Sequence, residues 1–273
     1  MNKLPLETRI QILQMLCEGS SMRSISRVAG VSINTVTKLL VDAGNACAAY
    51  HEKHVVGVKS QRVQCDEIWS FCYSKAKNTS DEKKLEGAGD VWTWTALDAD
   101  SKLIISYIVG NRDAGCAMQL MDDLQSRLAN RVQLTTDGHG PYLQAVEGAF
   151  GIDVDYAMLV KLYGETSEGQ KRYSPAECVG AKKMKIKGNP DPCCISTSFV
   201  ERQNLNMRMG MRRFTRLTNA FSKKLENHFH ALALYFMFYN FVRIHKTLKV
   251  TPAMAAGIET RLWEMQDIVA LMD

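Results

Sequence analysis

Nowhere in its 273 residues does the chain run unbroken in apolar side chains for the roughly 20 positions that a membrane span needs. The most apolar region, residues 231–242, is interrupted by Tyr235, Tyr239 and Asn240 and reads as a buried helix. The opening Met1-Asn2-Lys3-Leu4-Pro5 has no apolar core of a secretion signal, so a cytoplasmic protein with no membrane partner is expected. The chain also lacks any Cys-x-x-Cys pair. Its eight cysteines (17, 47, 65, 72, 116, 178, 193 and 194) are scattered, and none has the ligand spacing of a zinc site. They are expected to be free thiols, mostly buried, rather than disulfides. No internal repeat and no low-complexity tract is present. A hydrophobic content of 46% is ordinary for a globular protein of one large or two modest domains.

Acidic residues are scarce in two places. Residues 171–187 carry six basic residues against one acid, Glu177, and residues 199–224 carry seven against one, Glu201. The whole chain has a net charge of only +5, so these two stretches more than account for the excess. Such concentration points to an anionic partner more strongly than the net charge does.

The first fifty residues follow a helical pattern. Leu6, Ile10 and Leu13 recur at helical spacing, and Gly19 ends the run. A short helix over 22–29 precedes Gly30-Val31-Ser32. Gly30 suits a tight turn and Ser32 an N-cap for a third helix from Ile33. That is the helix-turn-helix pattern. In it the helix after the turn enters the DNA major groove, with Ser32, Asn34, Thr35 and Lys38 as polar candidates for base or phosphate contact. An ordinary three-helix bundle is the alternative. The expected division is a helix-turn-helix domain at 1–53, a linker at 54–61 and a second domain at 62–273.

That second domain changes grammar. Residues 62–73, 91–98 and 102–110 read as strands of an antiparallel meander. A helix over 114–129, a strand over 131–137, a helix over 142–150 and a strand over 154–162 follow. Residues 164–197, with Pro175, Pro190 and Pro192, read as a long basic loop. Ser198 opens a helix carrying Glu201, and a final helix is expected over 221–242. This order is that of a ribonuclease H-like α/β fold, a mixed sheet flanked by helices.

Three acids fall at informative places in that order. Asp66 lies midway along the first strand between Cys65 and Glu67, where a carboxylate is costly without a partner. Its neighbour Glu67 is expected on the opposite sheet face. Asp137 ends the fourth strand, expected beside the first, and Glu201 sits in the first turn of a late helix. Each also has a plainer reading: a surface acid on an edge strand, an Asp-Gly turn residue, and an acid favoured by the helix dipole. Brought together, the three would repel one another, and a hard divalent cation relieves that repulsion. Oxygen ligands suit Mg²⁺ or Mn²⁺. Two such ions about 3.5–4 Å apart support phosphodiester cleavage and transfer.

The residues Asp66-Glu67-Ile68-Trp69-Ser70-Phe71, Thr136-Asp137-Gly138-His139 and Phe199-Val200-Glu201-Arg202-Gln203-Asn204 carry a resemblance. With the tail Tyr239-Asn240-Phe241-Val242-Arg243-Ile244-His245-Lys246-Thr247-Leu248 and Thr251-Pro252-Ala253, the chain resembles the DDE transposases of bacterial insertion sequences, close to the insertion-sequence-one type. The resemblance spans nearly the whole chain. It implies that Asp66, Asp137 and Glu201 are metal ligands, with two Mg²⁺ or Mn²⁺ per active site. It also implies a catalytic basic residue seven positions after the glutamate, here Arg208. Seven residues are about two helical turns, so Arg208 shares a face with Glu201, and Asn204 lies between them. The chain departs from many members of that type in having no N-terminal zinc finger.

The resulting expectation is a transposase of the bacterial nucleoid. It would bind double-stranded DNA at element ends and target, free a 3′-hydroxyl and join it to target DNA, acting as a homodimer or larger assembly. Lys182, Lys183, Lys185, Lys187, Arg212 and Arg213 are expected to follow the DNA backbone. The alternatives are a ribonuclease H-like nuclease or resolvase without strand transfer, and a catalytically inactive DNA-binding protein. Trp69, Trp92 and Trp94 are expected as core or sheet-face residues, His139 in a structural role, and His228 and His230 in packing or at the surface. His245 is open between a phosphate contact and a structural role.

Overall fold

The computed structural model describes residues 3–164, 178–215 and 219–273. Helices α1 (Leu6–Cys17), α2 (Met22–Ala29) and α3 (Ile33–His54) come first. Ser21 caps α2 by accepting from the Ser24 N–H at 3.1 Å, and Ser32 caps α3 by accepting from the Thr35 N–H at 3.1 Å. Gly30 ends α2 at φ 64°, a left-handed conformation in which a side chain is strained, so the chain turns sharply between the two helices.

Six strands form one sheet in the order β3-β2-β1-β4-β5-β6. Strands β1 (Arg62–Cys72), β2 (Gly89–Asp98) and β3 (Ile104–Gly110) make the expected antiparallel meander. Between β1 and β2 lies a one-turn helix, α4 (Asp81–Leu85). Helix α5 (Ala114–Arg127) crosses over to β4 (Val132–Thr136), which pairs parallel to β1. Helix α6 (Pro141–Phe150) leads to β5 (Val154–Tyr163), parallel to β4. This mixed six-stranded sheet flanked by helices is compatible with a ribonuclease H-like fold.

Residues 178–187 depart from the expected loop. They form β6 (Cys178–Lys187), antiparallel to β5 at the sheet edge. Its apolar positions Met184 and Ile186 are themselves exposed, so no buried alternation marks it in the sequence. Lysines on an edge strand also discourage pairing with further chains. Residues 165–177 of the same stretch lie outside the described residues.

Helices α7 (Ser198–Gly210) and α8 (Leu225–Met237) follow, and α8 runs on into a π-helical turn, Phe238–Val242. The expected final helix therefore starts later, because Ser222 pairs with the end of β1 and its carbonyl accepts from the Tyr73 N–H at 2.7 Å. The π turn places the fully buried Asn240 against the sheet edge. Its amide donates to the Ile104 carbonyl at 2.9 Å and accepts from the Ile104 N–H at 3.0 Å, completing β3 as another strand would. Two short helices, α9 (Pro252–Ala255) and α10 (Met265–Ala270), close the chain.

The N-terminal helices are docked on the rest of the chain. One hydrophobic cluster includes Ile12, Ile25 and Leu40 together with Ile105, Leu120 and Phe236. Helix α3 packs on α8, and Gly44 allows the close approach: a Cβ there would lie 2.4 Å from the His230 Cβ. At the end of α3, Arg127 of α5 pairs with Glu52 and donates to the Val55 carbonyl at 3.1 Å. The stretch expected as a linker is packed down as well, since Val55 and Val58 are fully buried.

Candidate active site

Register explains how two acids meet. The parallel pairing of β1 with β4 ends at Cys65 opposite Thr136. Beyond that point β4 leaves the sheet, and the flank of β1 opens into a notch. Asp66 and Asp137, each the next residue on its strand, both face it. Carboxylate oxygens of Asp66, Glu67 and Asp137 lie within 4.8 Å of one another.

Glu67 corrects the expectation from simple alternation. Its backbone points to the other face, yet its carboxylate joins the cluster, because β4 no longer fills the space beside β1. It is buried at 7% exposure. Arg112, following β3, donates to Glu67 Oε1 at 2.6 Å, and its guanidinium lies 3.8 Å from Asp137 Oδ2 and over the Trp92 ring. The Tyr142 hydroxyl of α6 donates to Glu67 Oε2 at 3.1 Å. Burial, then the Asp137 charge, raises the Glu67 carboxyl above the usual range.

Asp66 accepts from the Glu67 N–H at 2.9 Å and from the Asn204 side-chain amide at 2.8 Å. Its carboxyl is pushed up to about 7, first by burial and then by the charges of Glu67 and Asp137. Asp137 accepts from the His139 N–H at 2.9 Å, which fixes the turn after β4. The His139 ring lies beside Trp94 and Tyr142, so packing and this turn define its place. Trp94 is fully buried, whereas Trp69 and Trp92 are half-buried on the sheet.

Helix α7 is tied to β1 at its first turn. The Gln64 side-chain oxygen accepts from the Phe199 and Val200 N–H groups at 2.9 and 3.2 Å. Glu201 sits in that turn on the Asp66 side, and its charge contributes to the upward shift of Asp66. It is not part of the three-acid cluster. Lys161 of β5 forms an ion pair with it, and the Thr197 hydroxyl donates to it. Arg208 is exposed on α7 two turns beyond.

The remaining candidates are dispersed. The Ser32 and Thr35 hydroxyls are 2.9 Å apart and occupied in the α3 cap, Lys38 pairs with Asp42, and Asn34 is exposed at the start of α3. Lys182, Lys183 and Lys185 are exposed along β6, and Lys187 pairs with Glu147. Arg212 is exposed, whereas Arg213 turns inward and donates to the Ser222 hydroxyl at 2.6 Å. His228 is fully buried between Ser70 and Ser222, and the half-buried His245 carries a ring nitrogen, Nδ1, with no hydrogen-bond partner. Sequence reasoning missed Arg112 and Lys161, since nothing local marks a lone cation that reaches an acid forty or more residues away.

The donor set fits a hard divalent cation. It consists of carboxylate oxygens, and Arg112 is its one cationic neighbour within ion-pair distance among the described residues. Three acids held this close repel one another, and added positive charge relieves that repulsion.

No protein-family model and no curated protein matches the chain. Solved structures that resemble it include the Mos1 transposase paired-end complex with left transposon end, at 14% identity over 57% of this chain with a TM-score of 0.23. The chain covers 60% of the length of that protein. Another is the piggyBac transposase synaptic complex with hairpin DNA, at 8% identity over 98% of this chain and 69% of that one, with a TM-score of 0.43. The Mos1 strand transfer complex matches at 12% identity over 87% of this chain and 77% of that one, with a TM-score of 0.25. Likenesses this loose leave the chemistry of the site to its own residues.

Proposed function

We propose that the chain is a metal-dependent DNA transposase of the DDE type, acting on double-stranded DNA at element ends and target. The observation that carries this reading is the convergence of Asp66 and Asp137 at the point where two parallel strands separate. In this reading Asp66 and Asp137 would hold Mg²⁺ or Mn²⁺, and Glu201, now paired with Lys161, would be the third ligand of a two-ion site. The chemistry such an ion would supply is charge neutralisation and polarisation of the phosphodiester for attack by water or a 3′-hydroxyl.

The protein's own groups do the positioning. Asn204 fixes one Asp66 oxygen and leaves the other accepting only from the local backbone. Glu67, held by Arg112 and Tyr142, keeps the Arg112 guanidinium beside Asp137, where it can take a phosphate oxygen. Arg208, on the same helix as Glu201 and Asn204, holds a neighbouring phosphate. The α2–α3 pair acts as a helix-turn-helix for the element end, and β6 lysines follow the backbone. Such contacts make binding fall steeply with salt. Joining two ends calls for a dimer or larger assembly on DNA.

The test is a strand-transfer assay with a pre-cut 3′-end, a target duplex and Mg²⁺ or Mn²⁺. Joined product that disappears in Asp137→Asn, with DNA binding retained, supports the transposase. Cleavage without joining makes the chain a nuclease, and binding without either makes it an inactive DNA-binding protein.

A further inference from the structure

A second feature lies at the far end of α7 from the acids. A cavity of about 630 Å³ opens between the α1–α2 turn, the start of α3 and the segment that follows α7. Arg23, Arg212, Arg213 and Lys223 line it, and no carboxylate does among the described residues. Four cations around one hollow repel one another unless an anion joins them. Arg213 is the most telling. It is drawn into the wall with the Ser222 hydroxyl as its hydrogen-bond partner, and burial pushes its guanidinium down to about 10, with no acid beside it among the described residues to offset the loss of water.

The floor differs in kind. Leu234 and Tyr235 of α8 form part of it, and Tyr235 is itself buried, with the Gln203 side chain as a polar neighbour of its hydroxyl. The exposed Asn34 stands at the rim, on the first turn of α3. A cationic rim, an apolar floor and a few polar groups match one unit of a nucleic-acid strand, with its phosphate outward and its base inward. The volume is far larger than inorganic phosphate needs.

We propose that this cavity seats a nucleotide of single-stranded DNA, with its phosphate on Arg213 and the rim cations and its base against the α8 floor. The inference rests on the DNA-processing reading and adds to it a non-catalytic strand site, joined to the acid cluster by α7.

The test measures fluorescence anisotropy with a labelled thymidine homo-oligonucleotide. Arg23→Met, Arg212→Met and Lys223→Met are combined, leaving the inward Arg213 in place. Ala220→Trp, which fills the cavity from its wall, is the second variant. Each should bind the strand at least about tenfold more weakly, and the triple variant should lower the salt slope by about 2. Both should keep the wild-type thermal shift with Mg²⁺, because the acids are untouched. Wild-type affinity in both variants overturns the strand site and leaves the active-site reading standing. Absence of any DNA binding by the wild-type protein at low salt refutes the DNA-processing reading itself. If inorganic phosphate protects the wild type and not the triple variant, while the oligonucleotide fails to compete, the cavity is a free-phosphate site and the proposal falls.

Discussion

Gly44→Ala separates a docked N-terminal helix from an independent one by the sign of its effect. In an exposed helix interior, replacing glycine by alanine stabilises by about 1 kcal/mol, through propensity and a less flexible unfolded chain. Here the new Cβ would fall 2.4 Å from the His230 Cβ, 2.6 Å from its Cα and 2.8 Å from its carbonyl oxygen. These are atoms of the α8 backbone or rigidly attached to it, so no rotamer relieves the clash. Restoring ordinary contact near 3.5–4.0 Å moves the helices apart by more than about 1 Å, a gap that forfeits about half or more of each contact's attraction. Overpacking of this kind costs about 1–3 kcal/mol. It acts on a seam continuous with the sheet core, so the net expectation after the propensity gain is a loss of up to about 2 kcal/mol. Urea unfolding followed by tryptophan fluorescence and by far-ultraviolet circular dichroism measures it. Both probes should shift together to lower midpoint. A midpoint raised by the full propensity gain would refute the docking of α3 on α8.

Three further outcomes are expected. Burial pushes His51 down to about 4 and His228 down to about 3, so the unfolded chain binds more protons below the ordinary histidine value of 6.5. Their contribution is full above pH 6.5 and is lost as pH falls towards 4, at about 1.4 kcal/mol per pH unit for each. His51→Gln should flatten the acid limb of stability against pH, and an unchanged limb would contradict its neutral burial. Asp66→Asn removes one of three crowded carboxylates, so it should stabilise the metal-free protein by about 1–3 kcal/mol while abolishing the thermal shift with Mg²⁺ and any strand cleavage. A thermal shift equal to wild type would show that metal binds elsewhere. Asn204→Ala strips a hydrogen bond from the half-buried Asp66 and should lower stability by about 1.5–3 kcal/mol. Weaker Mg²⁺ affinity by calorimetry should accompany it, and unaltered affinity would mean that Asn204 does not orient Asp66.

Much of the fold was legible in the chain because it is written in local patterns. Ser32 and Gly30 act through neighbours a few residues away, so capping and the tight turn were readable at 30–35. The meander over 62–110 was readable from its β-branched and aromatic runs separated by polar turns. β6 was not, since an edge strand with exposed apolar residues carries no signal of burial. Nor was the close docking of 1–53, because a glycine within a helix does not announce that a backbone passes beside it.

For the site, the sequence by itself determined which acids stand within the first strand, at the end of the fourth and at the start of a basic helix: Asp66, Asp137 and Glu201. Strand periodicity and residue type depend on near neighbours, and the chain order carries both. Only the tertiary structure decided which carboxylates share a notch and which cations answer them. β4 stops at Thr136, so Glu67 turns into the cluster that alternation would deny it, while Lys161, two strands away from β1, claims Glu201. Electrostatic partners are chosen by distance through space, and charge acting over a few ångströms takes no account of separation along the chain.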